Sequence, residues 1–240
     1  MRDISLAFVA FVLAFGACTF IGGKRVSGNG NVITQQRTIT DFNAVDLQGG
    51  FNVYVSQGNT FDVKVEADEN LMEYIVTEKE GDELEVHFKD NYNIHSSGSV
   101  KVYITAPNYT QLAVSGSGKL ISQTKITNAS QLGIDISGSG DANLDVDAPT
   151  VKTEISGSGS ALLRGNTRTF NGDISGSGKL KAFDLLSENS DLDIAGSGDA
   201  DVFASKQLDV SVAGSGNVNY KGNPAIKQSI VGSGKIHKVD

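Results

Sequence analysis

At 240 residues the chain has the length for a real core in one large or two modest domains, and its 28 glycines against 3 prolines fit short strands and tight turns, not a disordered or collagen-like chain. A formal net charge of −8 leaves no basic stripe to neutralise phosphates, which excludes nucleic acid as a partner. The chain lacks Trp, the flattest stacking surface for sugars or bases, and its one Cys excludes an internal disulfide.

The first residues predict a signal peptide over 1–17. Arg2 supplies a thin positive end, and Ile4 to Phe15 is an apolar run broken only by Ser5, too short to span a bilayer as a helix. Small residues then lead into the cysteine in Phe15-Gly16-Ala17-Cys18, which resembles a bacterial lipobox. That resemblance implies removal of the signal and lipidation of Cys18, holding the protein to a membrane by its lipid. Phe15 and Asp3 depart from the pattern, and an ordinary secretory signal or an uncleaved anchor are the alternatives. Residues 18–38, rich in Gly, Ser and Asn as far as Asn31, read as a tether.

Residues 39–107 read as a β-rich cap. Alternation predicts strands at Val45 to Leu47, Phe51 to Val55, Phe61 to Ala67, Tyr74 to Thr77, Leu84 to Phe88 and Val100 to Thr105. Gln48-Gly49-Gly50 and Glu80-Gly81-Asp82 are turn signals, and Asp68 to Met72 suits one short turn of helix. Polar Asp90 to Ser99 reads as a mobile loop, and Pro107 closes the segment. The cap is expected to cover the N-terminal edge of the strands beyond Pro107, because an uncovered strand edge invites association.

Residues 108–240 are repeats. Gly-Ser-Gly begins at Gly116, Gly138, Gly157, Gly176, Gly196, Gly214 and Gly232, in steps of 22, 19, 19, 20, 18 and 18 residues. Such a period marks stacked supersecondary units. Two residues before each first glycine stand Val114, Ile136, Ile155, Ile174, Ile194, Val212 and Ile230, all β-branched. Four after it stand Leu120, Ala142, Ala161, Leu180, Ala200, Val218 and Ile236, all apolar, while the position between is never apolar. A period of two with β-branched residues on the inward phase means strands, and the glycines allow the positive φ of tight corners. The expectation is an all-β solenoid of seven coils, a rod on the order of 34 Å at the spacing of paired strands.

The succession Gly28-Asn29-Gly30-Asn31-Val32, Asp41-Phe42-Asn43-Ala44-Val45, Phe51-Asn52-Val53-Tyr54-Val55, Ala67-Asp68-Glu69-Asn70-Leu71 and Val114-Ser115-Gly116-Ser117-Gly118 resembles the head GIN domain family. Members are described as autotransporter adhesin heads and are common among envelope proteins of Bacteroidetes-type bacteria. The resemblance covers nearly all the mature chain and makes 39–240 one domain. It implies a right-handed parallel β-helix, usually on a lipoprotein, and carries over no catalytic residues or cofactor.

Two further columns emerge when the repeats are aligned. The middle serines, Ser117 to Ser233, read as hydroxyls bonding backbone at tight corners, or else as a ligand or glycosylation row. Three residues before the glycine, Asp135, Glu154, Asp173 and Asp193 occupy consecutive coils. Neighbouring unit charges there repel by about 1 kcal/mol in water. This column is read either as a solvated acidic face or as a weak site for divalent cations such as calcium. A phosphate loop, calcium-binding nonapeptides and a nucleophile elbow are rejected on spacing, and His87, His95 and His237 are too scattered to suggest a metal cluster.

The leading functional reading is a non-enzymatic, lipid-anchored outer-membrane protein, facing the periplasm or the cell surface. It would serve as an adhesin or envelope scaffold for a glycan or protein ligand that the residues do not name. The alternative is a polysaccharide-active β-helix enzyme, against which the short coils and few aromatics speak. The last repeat runs almost to Asp240, so self-association through a C-terminal edge is a third expectation, opposed by Lys235, His237 and Lys238.

Overall fold

Inward β-branched residues and corner glycines build the parallel β-helix that their spacing demands, of about six turns where seven coils were expected. A computed structural model describes residues 23–128 and 130–239; the signal segment 1–17, the lipidation cysteine Cys18 and the start of the tether lie outside the described residues. Ile136, Ile155, Ile174, Ile194 and Val212 stack in direct parallel register. All five are buried, as are Leu120, Ala142, Ala161, Leu180, Ala200 and Val218 from the other side of the corner, while Ile230 and Ile236 of the last coil are half-buried. Each full burial of such an aliphatic side chain stabilises by about 1.5–3 kcal/mol. The step of 20 residues from Gly176 to Gly196, one more than the step before it, is absorbed by a bulge between Leu162 and Arg164.

The two glycines of a corner answer different needs. At Gly176 φ is +117°, and a Cβ would stand 2.6 Å from the carbonyl oxygen of Gly157 in the previous coil. At Gly198, the second glycine, a Cβ would stand 2.5 Å from Ile174 Cγ2. The first needs backbone freedom, the second needs room for the ladder. Between them, each serine N–H donates to the first-glycine carbonyl of the preceding corner at 2.8–3.1 Å.

The first corner of this ladder precedes the repeats. Ala44–Gly49 pairs in parallel with Gln111–Gly116, and Asn52–Gln57 pairs with Lys119–Ser122, so Gly49, with φ +128°, is a coil corner rather than a hairpin turn. The chain then leaves the ladder until Thr110 and uses the excursion to close the edge. Glu83–Phe88 lies parallel beside Ala44–Gly49, with Ile75–Glu80 antiparallel outside it. Lys101–Ala106 lies parallel beside Asn52–Gln57, with Asp62–Asp68 and then Val32–Arg37 antiparallel outside that. A 3₁₀ turn at Glu69–Tyr74 adds buried Leu71 and Met72. Tyr109, fully buried, donates its hydroxyl to Ser56 O and Ile104 O at 3.0 and 3.1 Å where the chain re-enters the ladder.

Two expectations from the sequence are corrected by the fold. Within the expected tether 18–38, Lys24–Ser27 and Val32–Arg37 are strands, and Lys24–Ser27 pairs in parallel with Tyr92–His95, in the segment expected to be a mobile loop. The cause is Asp68, only 1% exposed, which accepts hydrogen bonds from Gly30 N at 2.7 Å, Ser96 Oγ at 2.8 Å, and Ser97 N and Oγ at 2.9 and 2.5 Å. Asn70 adds bonds to Asn29 N and Ser27 O, both 2.9 Å. The amides of Gly30 and Ser97 and the hydroxyls of Ser96 and Ser97 thus converge on a single carboxylate. These bonds, led by Ser97, hold the Asp68 carboxyl down at about 2, against burial.

Candidate functional site

Outward side chains of the coils form two polar faces, one before the glycine corner and one after it. On the first, register places Asp135, Glu154, Asp173 and Asp193 in one column, as their spacing implies. Ser211 and Ser229 continue it toward the C-terminus. A second outward column two residues earlier runs Lys152, Asn171, Asp191, Asp209, Lys227. Lys152 already offers a cation here: its ammonium pairs with Glu154 and stands 4.0 Å from Asp173. Gln111 donates to Asp135. Partial burial, then neighbouring Glu154, raises the Asp135 carboxyl, and burial likewise raises Asp173. The structure therefore brings the four residues together as a half-compensated acidic face.

The second face is of mixed charge. Lys179, Asp199, Asn217 and Lys235 share one column, and Lys181, Asp201, Asn219 and His237 the next. Asn217 bonds Asp199 at 3.1 Å and Asn219 bonds Asp201 at 2.8 Å, which fixes the side chains along a shallow groove of about 560 Å³. Toward the cap the second of these columns continues as Leu162, Asn143 and Ile121 to Tyr54 and Tyr103, whose rings stack 5.1 Å apart at 16°. Sequence reading missed this stack. Only the pairing of Asn52–Gln57 with Lys101–Ala106 aligns the two tyrosines.

The corner serines differ from their expected role. All seven are exposed, and their backbone amides, not their hydroxyls, tie one corner to the next. Among the described residues their hydroxyls have no hydrogen-bond partner in the protein, so they form a free polar row. Of the histidines, His95 and His237 do stand apart, but His87 Nε2 lies 3.1 Å from Glu78 Oε1.

The family whose description is "Putative auto-transporter adhesin, head GIN domain" matches residues 41–224, from just before the first coil to the last-but-one. The chain belongs to the head GIN domain family. Its match runs through cap and coils alike, so the excursion between Gly58 and Thr110 is part of the head GIN unit. A comparison with curated proteins finds no match. Among solved structures, a Bacteroides fragilis protein described as "a putative adhesin" is 21% identical with a TM-score of 0.82, covering 89% of this chain and 100% of its own. A Parabacteroides distasonis "putative lipid binding protein" is 29% identical with a TM-score of 0.76, covering 90% and 100%. A second protein of that organism, again a "putative adhesin", is 25% identical with a TM-score of 0.72, covering 90% and 100%. The first of these shares the fold; the others share it with modestly higher identity.

Proposed function

We propose that this head GIN protein is a non-enzymatic cell-envelope protein, anchored by lipid on Cys18, that works as an adhesin or envelope scaffold through the two outward faces of its β-helix. The observation that carries the reading is the parallel register that runs from Gln131 to Gly232, across one bulge at Leu162–Arg164. Coils in such register leave short connections, whereas an enzyme built on a β-helix needs loops to wall a groove around its catalytic carboxylates. The adhesin descriptions of the family and of two structural relatives support the same reading. The lipid-binding description of the other relative suits a lipid at the surface rather than inside, since the coil interior is filled by buried aliphatic side chains.

Among the described residues no helix is long and apolar enough to cross a membrane. The anchor proposed is the lipid on Cys18. Labelling of cells with a fatty-acid analogue tests it: the native protein takes label and Cys18→Ala does not. Binding of the purified domain to arrayed glycans and to envelope fractions tests the adhesin reading. Release of reducing or unsaturated ends from a glycan would replace it with an enzyme.

A further inference from the structure

Glu78, Glu85 and His87 sit on the outward side of the antiparallel pair Ile75–Glu80 and Glu83–Phe88. Glu78 is directly opposite Glu85, and His87 is two residues further along the same strand, so a period of two puts all three on one face. One ligand atom from each lies within 4.8 Å of the others. The 3.1 Å between His87 Nε2 and Glu78 Oε1 is close to the separation of two neighbouring ligands around one ion bonded at about 2.0–2.2 Å.

The imidazole is also oriented for this task. His87 Nδ1 is 3.0 Å from the Phe88 carbonyl. Both ring neighbours are acceptors, so Nδ1–H donates to the carbonyl and Nε2–H to Glu78; an ion that takes Nε2 replaces that proton, while the Nδ1–H bond keeps the ring's orientation, as the outer shell of a metal-ligating histidine does. Gln48, from the next strand, donates to Asp46 Oδ2 at 2.9 Å and reaches Glu85 Oε2 at 3.4 Å, steadying the acidic side. A divalent cation that replaces the Nε2 proton then has three ligand atoms around one small volume.

We propose that Glu78, Glu85 and His87 form a surface site for a transition-metal ion of the zinc class. The nitrogen ligand selects such an ion over calcium, which prefers oxygen alone. In this the cluster differs from the acidic column of the coils, where every donor is oxygen and Lys152 already intrudes. Three protein ligands leave the remaining position to water or to a donor from outside the chain.

Calorimetry with zinc chloride on the whole chain, and visible absorption with cobalt(II) as the probe, test the site. One ion per chain is expected, with the cobalt spectrum of a nitrogen- and oxygen-ligated ion. His87→Gln should weaken binding by roughly tenfold or more, and Glu78→Gln by a similar factor. Glu78 is exposed and His87 half-buried, and unchanged melting of the apo variants shows that loss of binding is not loss of fold. Absence of binding by the native chain at sub-millimolar zinc overturns the site. So does affinity that survives both substitutions, or that is lost instead in His237→Gln.

Discussion

From Gln131 onward the column two residues before each corner repeats one contact from coil to coil, whereas before Thr110 the buried and half-buried side chains meet partners set by pairing between separate segments. In the coils Ile136, Ile155, Ile174 and Ile194 repeat one contact. In the cap Phe42 meets Phe61 at 5.1 Å, Phe51 stacks on Phe88 at 4.5 Å, and Asp68 gathers the bends of two separate segments. The difference lies in how damage spreads. A ladder distributes its stability over nearest neighbours, so a fault in one rung is felt by the rungs beside it. Keyed contacts confine the loss to the elements they join.

The sharpest test of that contrast is Ile174→Asp, which places an unpaired carboxylate in the middle of the ladder. We expect a loss of at least about 4 kcal/mol in urea unfolding, with hydrogen exchange accelerated in the coils on both sides and not in the cap. Melting unchanged from the native chain would sink the stacking register. Gly176→Ala should cost about 3 kcal/mol, since the residue must hold a φ of +117° against the Gly157 carbonyl. Serine in place of Ala should do no better, because the obstacle is Cβ itself.

Asp68→Asn should cost about 2 kcal/mol and act locally, speeding exchange over 24–31 and 92–97 while the coils keep their protection. Acid separates the regions as well, with opposite signs. The depressed Asp68 carboxyl contributes stability above the usual carboxylate range that is lost as pH falls through that range toward 2. Asp135 and Asp173 are raised, so their charged forms weaken the native coils, and protonating them as pH approaches the carboxylate range from above restores stability. Exchange measured across a pH series should show the coils gaining protection before the N-terminal strands lose theirs.

Thr153→Val should stabilise by about 1 kcal/mol, because the Thr153 hydroxyl is buried without a partner while buried Thr167 bonds Thr169 O at 2.9 Å. Thermal melting checks the sign. The smallest effect belongs to the acidic column. With Lys152 already between Glu154 and Asp173, millimolar calcium should leave the melting temperature unchanged. A calcium-dependent rise that Asp173→Asn removes would instead establish the column as a cation site.

The inward columns of the coils were legible because each rests on local chemistry: a side chain at period two, and a glycine where φ must be positive. Gly49 shows where legibility stops. Its turn was visible, but Gly50 and Phe51 stand where later corners carry Ser and Gly, and the excursion to Thr110 hides the strand that Ala44–Gly49 joins. His87 was judged alone because its partners are set by a hairpin. The turn at Gly81 was seen, and placing Glu78 opposite Glu85 across it would have exposed the cluster.

By itself the sequence determined the period of the coils, the residues that face inward, the corners and the column of Asp135, Glu154, Asp173 and Asp193. All of these follow from sterics repeated within one coil. Only the tertiary structure decided which strands close the N-terminal edge, that Asp68 orders the supposed tether, that Lys152 tempers the acidic face and that His87 meets two carboxylates. Those outcomes turn on pairing between segments distant in the chain, where many alternating strands are nearly equivalent and only packing chooses among them.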